Sequence, residues 1–317
     1  MTFYVCLRRV VGIGLVCVLI QATGVGAPGA PTTSVPFLVN NGGSDSETTA
    51  GTADAILLGF ERIRPGPSRA TPSGVAIFGF RENDILVSET GVPASAATLA
   101  GRIRAEVDGP LTTGLAIANP GSTDAVVTYY FSDQARKSFD SGTTTIPAGG
   151  QVARFLNEAP FNRASSIDGT FTFSSDIPVA AVALRGFTNE RGEFLLTTLP
   201  VSPLATTAGE SVCFPHFVDG GGWTTEVILV NPTDDTISGT VEFVEQGTTG
   251  TTAQALSLAI NGQTASAFSY TFPAAVLPAF KRPAQVVRSR RALSVSPHRQ
   301  VRTYRRAWRF SLSGAGT

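Results

Sequence analysis

An all-β fold is predicted by the composition of this 317-residue chain, by an internal repeat and by the spacing of its short apolar runs. Hydrophobic residues make up 42% and charged residues only 15%, with 33 Gly, 20 Pro and 20 Phe. This composition is too apolar for a chain that is disordered throughout, and its shortage of Lys and Glu disfavours coiled coils and helical bundles. Strands joined by turns are therefore expected.

Residues 1–27 are predicted to be a signal peptide. Arg8 and Arg9 give a basic start, an apolar run extends from Val10 to Ile20, and small residues follow it. This run of 11 residues is shorter than the roughly 20 residues that span a bilayer as a helix. We expect cleavage, a secreted or cell-surface location of the bacterial type, and no stable membrane span afterwards. The alternative is an uncleaved N-terminal anchor.

Residues 28–53 are predicted to be a flexible linker, because Gly, Ser, Thr and Pro dominate them. Beyond the leader the chain has a single cysteine, Cys213, which excludes an intramolecular disulfide in the mature protein. No Lys or Arg lies near Cys213 in the sequence to lower its pKa. We therefore expect a buried small hydrophobic residue rather than a reactive thiol.

An internal repeat with an offset of 112 residues organises the chain beyond the linker. The segment TTGLAIANP at 112–120 recurs as TTEVILVNP at 224–232. A weaker repeat, with an offset of 107, relates VAIFGF at 75–80 to VALRGF at 182–187. These two repeats indicate that the chain contains parts of a tandem array. The predicted divisions are a C-terminal half-unit at 54–99, a complete unit at 100–204, an N-terminal half-unit at 205–280 and a tail at 281–317.

The complete unit is predicted to be a Greek-key sandwich of the immunoglobulin-like kind. Seven or eight short runs of β-branched, aromatic and small residues alternate with turn signals such as Asn119-Pro120. Pro120 cannot donate to a ladder, and the Asn119 side chain can bond backbone groups two residues on, so a structural corner is expected there and at Asn231. The predicted strands are Arg102–Val107, Gly114–Ala118, Ala125–Phe131, Gly142–Ile146, Gln151–Phe155, Thr170–Phe173, Val179–Phe187 and Glu193–Leu199.

A family resemblance rests on the order of these phrases. TGLAIANP, VTYYF, IPAGGQVARFL, GTFTF, PVAAVALRGF and LTTLPV, followed by FPHFVDGGGWTTEVILVNP, resemble repeats in secreted bacterial proteins with immunoglobulin-like or fibronectin-like domains. The resemblance covers about 54–280 and implies an extracellular or surface module. It includes no diagnostic catalytic motif, so no functional residue is transferred.

The tail interrupts the repeat. Of the 24 basic residues, ten lie at 281–317 with no acidic residue, which leaves 14 basic against 24 acidic residues at 1–280. Where the 112-residue offset predicts counterparts of GTFTF and PVAAVA, the sequence instead has Lys, Arg, Ala, Ser and Pro. One explanation is a frameshift, with a disordered tail. The other is a polybasic arm for anionic polymers, and nucleic acid is expected as a partner only if that arm functions.

Catalytic chemistry is poorly represented. The chain has two histidines, His216 and His298, and no Gly-x-Ser-x-Gly turn or Asp-x-Asp-x-Asp-Gly calcium loop. No catalytic residue, metal ligand or cofactor is therefore predicted. The acidic pairs Asp234–Asp235 and Glu190–Glu193 lie in predicted turns, where solvated carboxylates are expected.

One segment, Phe214–Trp223, is the best candidate for ligand contact. Trp223 follows three glycines and offers a face on which a sugar ring can stack, and His216 and Asp219 lie close to it in sequence. The alternative is a strand, a glycine loop and a Trp that covers the sandwich edge. The leading functional hypothesis is a non-enzymatic surface-structural, spacer or adhesion module with an extracellular protein or polysaccharide partner. A carbohydrate-binding module around Trp223, His216 and Asp219 is the alternative.

Overall fold

The computed structural model describes residues 34–53, 55–162, 166–204, 210–247 and 252–274, and the backbone alone of residues 4–6 and 17–19. The predicted signal peptide and the basic tail lie outside the described residues, apart from those two short backbone stretches. In the described ranges the chain is all-β and contains no α-helix.

Every strand pairing among the described residues is antiparallel. In chain order the strands are β1 (Tyr4–Cys6), β2 (Cys17–Leu19), β3 (Val75–Glu82), β4 (Ile85–Pro93), β5 (Thr98–Val107), β6 (Leu111–Ala118), β7 (Ala125–Asp133), β8 (Ser138–Ile146), β9 (Gln151–Phe155), β10 (Ile167–Thr188), β11 (Phe194–Leu199), β12 (Ser202–Pro203), β13 (Ile237–Glu242), β14 (Leu258–Ile260), β15 (Gln263–Ala265) and β16 (Ala267–Phe272).

Residues 100–204, the central unit, contain two sheets that share β10. The first sheet has the order β12–β5–β10–β7–β8, and the second has the order β11–β10–β6–β9. The strands predicted for this unit are found with boundaries shifted by four residues at most, with one exception. The arrangement is sandwich-like, because the inward-facing residues of both sheets belong to one core.

The exception is β10, where two predicted strands form one strand of 22 residues. Its first part pairs with β5 and β7, and its second part pairs with β6 and β11. The register against β5 shifts between Ser174 and Val179. Pro178 lies in this interval, where its missing N–H costs no ladder bond, and Asp176 accepts a hydrogen bond from the N–H of Val126. Asp176 and Pro178, which separate the two predicted strands, therefore lie where β10 leaves the first sheet and enters the second.

The hydrophobic core lies between these sheets. Alternate residues of β7 point inward, as the period of a half-buried strand requires, and Val127 and Phe131 are fully buried. Ile103 of β5 and Phe171 of β10 meet them from the same sheet, and Ile117 of β6 faces them from the other. The predicted complete unit therefore contains the main core of the described chain.

Aromatic rings fill one end of this core. The Phe171 ring centroid lies 5.3 Å from that of Tyr129, 5.1 Å from that of Phe131 and 5.2 Å from that of Phe161. The Tyr129 hydroxyl donates to the Pro160 carbonyl at 2.7 Å. Burial raises the pKa of Tyr129, and the nearby Asp140 adds to the rise. Tyr129 therefore acts as a neutral hydrogen-bond donor in the core.

The β3–β4 hairpin lies beside the second sheet of the central unit. Leu196 of β11 donates its backbone N–H to the Ser88 hydroxyl at 3.0 Å, and Thr198 of β11 donates to the Gly91 carbonyl. Ser88 and Thr90 of β4 are buried, whereas the residues of β3 are mostly exposed. The hairpin thus contacts the unit through β4.

The registers of two hairpins coincide. Within the first hairpin Ala76 pairs with Val92 and Phe80 with Ser88. Within the β10–β11 hairpin Ala183 pairs with Leu199 and Phe187 with Leu195. Each of these residues lies 107 positions after its counterpart, which is the offset of the weaker sequence repeat.

The C-terminal part of the described chain has smaller sheets. β13 pairs with β16, and β14 pairs with β15. The buried Phe243 ring contacts the rings of Phe217 and Phe268, with centroids 5.3 and 6.0 Å apart. Residues 224–230 belong to no strand. This region is therefore less completely paired than the central unit.

The predicted linker is described from residue 34 onward. Residues 34–53 contain no strand and are exposed throughout, and Leu38 retains 81% exposure. Strands are also absent from 55–74, where Arg62 donates to the Pro120 carbonyl of the central unit at 2.5 Å.

Candidate functional site

The candidate residue Trp223 closes a tight turn at residues 220–223, the Trp223 turn. The backbone groups of Gly220 and Trp223 exchange two hydrogen bonds, each of 3.0 Å. Gly220, Gly221 and Gly222 have φ values of +92°, +61° and +90°. Such positive φ values strain residues with a Cβ, so the three glycines are explained by the turn itself. The Trp223 side chain is 68% exposed.

The two chain segments on either side of this turn are joined by Thr225. Its hydroxyl donates to the Val218 carbonyl at 2.6 Å and accepts from the Val218 N–H at 3.2 Å. The Trp223 turn is therefore the tip of a short hairpin, although its arms carry no strand ladder.

A turn with the same backbone hydrogen bonds occurs in the central unit at an offset of 112, although only Gly109 has a positive φ there. Asp108 and Leu111 exchange backbone hydrogen bonds of 3.1 and 2.9 Å, as Gly220 and Trp223 do. The Thr113 hydroxyl bonds to the N–H and the carbonyl of Glu106, as Thr225 bonds to Val218. Trp223 is thus the positional counterpart of Leu111, the first residue of β6.

The three candidate residues share one exposed segment. Trp223, His216 and Asp219 are all exposed. Within the described residues no hydrogen bond, ion pair or ring contact joins any of them to another. Their shared exposure is therefore what the structure shows of these three candidates.

Cys213 is exposed, and the prediction of a buried residue is wrong. Phe214 beside it is 60% exposed. Both lie in residues 210–219, the counterpart of β5, which pairs with no strand in the described chain. Because no strand in the described chain pairs with this segment, Cys213 and Phe214 stay exposed, whereas the Phe217 ring packs against Phe243.

The two Asn-Pro corners have one hydrogen-bond pattern. At Asn119 the side-chain oxygen accepts from the N–H of Gly121 at 2.9 Å, and the side-chain amide donates to the carbonyl of Thr123 at 2.8 Å. At Asn231 the corresponding partners are Thr233 and Asp235, each at 2.8 Å. Both asparagines are almost fully buried, at 0% and 1% exposure. The prediction of structural corners at both positions agrees with these contacts.

Arg102 of β5 is the main polar contact between the central unit and the Asn231 corner (residues 231–235). Its guanidinium donates to the carbonyls of Asn231 and Thr233 at 2.9 and 2.7 Å and to the Asp234 carboxylate at 2.9 Å. The remaining donors reach Thr172 and Tyr130 at 2.8 and 3.0 Å. All five guanidinium N–H groups are therefore used. Arg102 is only 3% exposed.

A second arginine makes a contact of the same kind. Arg136, in the turn between β7 and β8, donates to the Pro273 carbonyl, and its guanidinium carbon lies 5.4 Å from the centroid of the Phe272 ring. Burial lowers the pKa of Arg136 below its ordinary value, and the charge of Arg102 adds to the lowering. The sequence gives no signal for either arginine, because neither belongs to the repeated phrases.

The carboxylates expected to be solvated are in fact partly engaged. Asp234 pairs with Arg102, so its predicted solvation is wrong. Glu193 accepts hydrogen bonds from the Asn189 amide at 2.7 Å and from the Arg191 guanidinium at 2.9 Å. These bonds hold the pKa of Glu193 below its ordinary value near 4.5, and the charge of Arg191 also lowers it. Both carboxylates therefore have structural partners.

Other chemistry is sparse in the described part of the chain. An open depression of about 300 Å³ is lined by Ser138, Phe139, Asp140 and Ser141 of β8, away in sequence from the Trp223 turn. The described residues contain no group of three His, Cys, Asp or Glu side chains arranged to hold a metal ion. They also contain no helix with the length and hydropathy that a bilayer crossing requires.

Comparisons with known proteins assign no family. No protein-family profile and no curated protein matches the chain. Among solved structures, the chain is similar to one titled "Crystal Structure of Thermotoga maritima 1070", with 13% identity over 33% of this chain and 96% of that chain. The TM-score is 0.28, which carries no argument about fold or function.

Proposed function

We propose that this chain is an exported, non-enzymatic protein of tandem immunoglobulin-like β-sandwich units that acts as a surface-structural, spacer or adhesion module. One observation carries the proposal: the hydrogen bonds of the Asp108–Leu111 turn, of Thr113 and of Asn119 all recur 112 residues later. Three separate hydrogen-bonded features share this offset, which favours duplication of one unit over independent origin of each feature.

The contacts between units support a spacer. Arg102 connects the first sheet of the central unit to the corner of the next segment through three hydrogen bonds. Because these groups are buried, the connection resists bending more than a solvated linker does. Fixed joints between successive units suit a protein that holds a partner, an extracellular protein or polysaccharide, at a distance from the cell surface.

Export is the step that an experiment can test directly. The full chain and a variant that lacks residues 2–27 are produced in a bacterial host, and cells are fractionated. The proposal predicts that the full chain leaves the cytoplasm and loses its N-terminal segment, as seen by mass spectrometry, whereas the shortened variant stays inside. If both proteins remain in the cytoplasm at full length, the proposal is wrong.

A carbohydrate-binding module is the second candidate, and the 68% exposure of Trp223 favours it. The test is a pull-down on insoluble polysaccharides with the full chain, Trp223→Ala and the control Phe214→Ala, which removes another exposed ring of the same segment. Binding that is lost in Trp223→Ala and kept in Phe214→Ala supports this candidate. Equal binding by all three proteins, or none, excludes it.

A further inference from the structure

The strand β3 has one unpaired edge. Within the described residues its ladder partner is β4, and β4 in turn contacts β11. The side chains of Ile77, Phe78 and Phe80 remain 63%, 49% and 51% exposed, on both faces of β3. An apolar edge strand of this kind is a template for pairing with another strand.

The central unit shows which kind of strand pairs with an edge like that of β3. The second part of β10 is the positional counterpart of β3, and it pairs with β11 on one side and β6 on the other. β4 occupies the place of β11 beside β3. The open edge of β3 therefore corresponds to the edge of β10 that receives β6.

The counterpart of β6 is also unpaired. By the 112-residue offset it is the segment 223–230, which follows a turn with the same backbone hydrogen bonds as the turn before β6 but has no ladder partner in the described chain. Thr224, Thr225 and Glu226 are exposed, and the Glu226 carboxylate forms an ion pair of 3.5 Å with Arg185 of β10. One chain thus presents both halves of the β6–β10 pairing, on separate edges.

From these two edges we infer that β3 of one copy pairs antiparallel with residues 223–227 of a second copy. The register follows from that of β6 and β10: Phe80 lies opposite Trp223, and Ile77 lies opposite Glu226. The inferred interface repeats the register of the β6–β10 ladder of the central unit. The inference rests on the proposed repeat architecture.

A glycine supports this register. In the central unit Gly186 lies opposite Thr112, and a Cβ at Gly186 would meet the Phe194 ring of β11 at 2.5 Å and the Thr112 methyl at 2.9 Å. Its counterpart Gly79 lies opposite Thr224 in the inferred pairing. Within the single chain a Cβ at Gly79 meets only the end of the Leu86 side chain, at 3.3 Å. In the inferred pairing Thr224 of the second copy approaches Gly79 as Thr112 approaches Gly186.

The pairing joins unlike surfaces, so it grows head to tail. A C-terminal segment of one copy takes the N-terminal hairpin of the next, and each end of a dimer remains open to another copy. Trp223 is then covered by Phe80 of the second copy, which explains an exposed Trp at the tip of a hairpin without a sugar ligand.

The first test is the mass of the full chain in solution, measured by sedimentation at rising protein concentration. We expect species beyond the dimer. Ile77→Lys is expected to raise the apparent dissociation constant at least tenfold, whereas Ile85→Lys, at a 68% exposed position on β4 of the same hairpin, leaves it unchanged. A chain that is monomeric at all concentrations overturns the inference. So does an equal loss of association in Ile77→Lys and Ile85→Lys when the circular dichroism spectra show that both variants are folded.

The second test is the register. In chains whose native cysteines are changed to Ser, one copy carries Ile77→Cys and the other Glu226→Cys, and mild oxidation is followed by non-reducing electrophoresis. We expect a cross-linked dimer from this mixture and none from Ile77→Cys with Thr225→Cys, because a one-residue slip places the two side chains on opposite faces. Equal cross-linking of both mixtures, or of neither, contradicts the pairing.

The outcomes separate the two proposals. A monomer that is still exported overturns the self-pairing and leaves the proposed function intact. A chain that self-associates but stays in the cytoplasm at full length overturns the proposed function instead. A third protein carries Ile77→Cys and Glu226→Cys in the same chain. If it forms an intramolecular disulfide however far it is diluted, the pairing lies within one copy, and the head-to-tail arrangement is overturned.

Discussion

Arg102 and Asp234, 132 residues apart in sequence, form an ion pair in which Nη2 and Oδ1 lie 2.9 Å apart. The arginine side chain retains 4% of its exposure and the aspartate 20%. A pair this buried depends on its full set of hydrogen bonds, because either charge alone is poorly solvated there.

Removal of the Arg102 guanidinium is expected to be costly. Arg102→Ala removes the guanidinium that donates to Asp234 and to two carbonyls, which we expect to lower the free energy of unfolding by about 3 kcal/mol. Arg102→Lys should recover only part of this loss, because an ammonium group cannot reproduce the planar fork. Urea unfolding followed by circular dichroism measures both.

The control is Arg104→Ala on the same strand and the same face. Arg104 pairs with Asp168, whose side chain is 49% exposed, so its removal should cost less than about 1 kcal/mol. Equal losses in the Arg102 and Arg104 variants contradict the role of Arg102 in holding the Asn231 corner against the central unit.

Asn119→Ala tests the buried corner. The Asn119 amide donates to the carbonyls of Thr123, Ile146 and Pro147, and its oxygen accepts from the Gly121 N–H. Loss of these bonds in a buried site should cost about 2–4 kcal/mol. Thermal unfolding of this variant is compared with that of a second Asn→Ala variant.

The control is Asn40→Ala, at an exposed position before the β3–β4 hairpin. It should change the midpoint by less than the error of the measurement. If the midpoint of Asn119→Ala also stays unchanged, the corner does not stabilise the unit.

Gly169→Ala tests the close packing of β10 against β7. A Cβ at Gly169 would lie 1.9 Å from the Ser132 carbonyl oxygen, a backbone atom of the facing strand. The strands must separate to admit it, at a cost of about 2 kcal/mol or more. Gly59→Ala, where a Cβ meets nothing within 4 Å, is the matched control for the unfolding measurement. The same stability in both variants would contradict the β7–β10 packing.

Glu193 gives a pH dependence of defined sign. Its pKa is lowered in the folded chain, so its ionised form stabilises the Asn189–Glu193 turn above the unfolded pKa near 4.5. This contribution is lost as the pH falls through the lower folded value. The difference in unfolding free energy between the native chain and Glu193→Gln should thus be larger at pH 7 than at pH 3. A difference that grows toward pH 3 has the wrong sign for this account.

Much of the central unit was predictable from local sequence, because alternating apolar residues and Asn-Pro turns determine where strands begin and end within a few residues. The β10 strand shows where that logic ends. Ser175, Asp176 and Pro178 favour a turn in isolation, yet here they carry the chain between sheets, since Asp176 has the Val126 N–H as a partner. Such a partner, 50 residues away, has no local signature.

The site was less predictable than the fold. Trp223 stands out in the sequence by residue type, and the turn that presents it follows from its three glycines. Arg102 could not be found, because its position in β5 predicts only an outward-facing side chain. The neighbour that buries it lies 129 residues later in the chain. Expected burial also failed at Cys213, because no strand in the described part of the chain pairs with its segment.

The measurement that tests the repeated architecture most directly is backbone amide hydrogen exchange, read residue by residue by NMR. Val218, Trp223 and Thr233 donate hydrogen bonds that correspond to those of Glu106, Leu111 and Gly121. The account predicts slowed exchange in both sets, and Arg102→Ala should accelerate Thr233 while leaving Gly121 unchanged. Protection confined to the central unit, with the later set exchanging as an unstructured chain does, would contradict it.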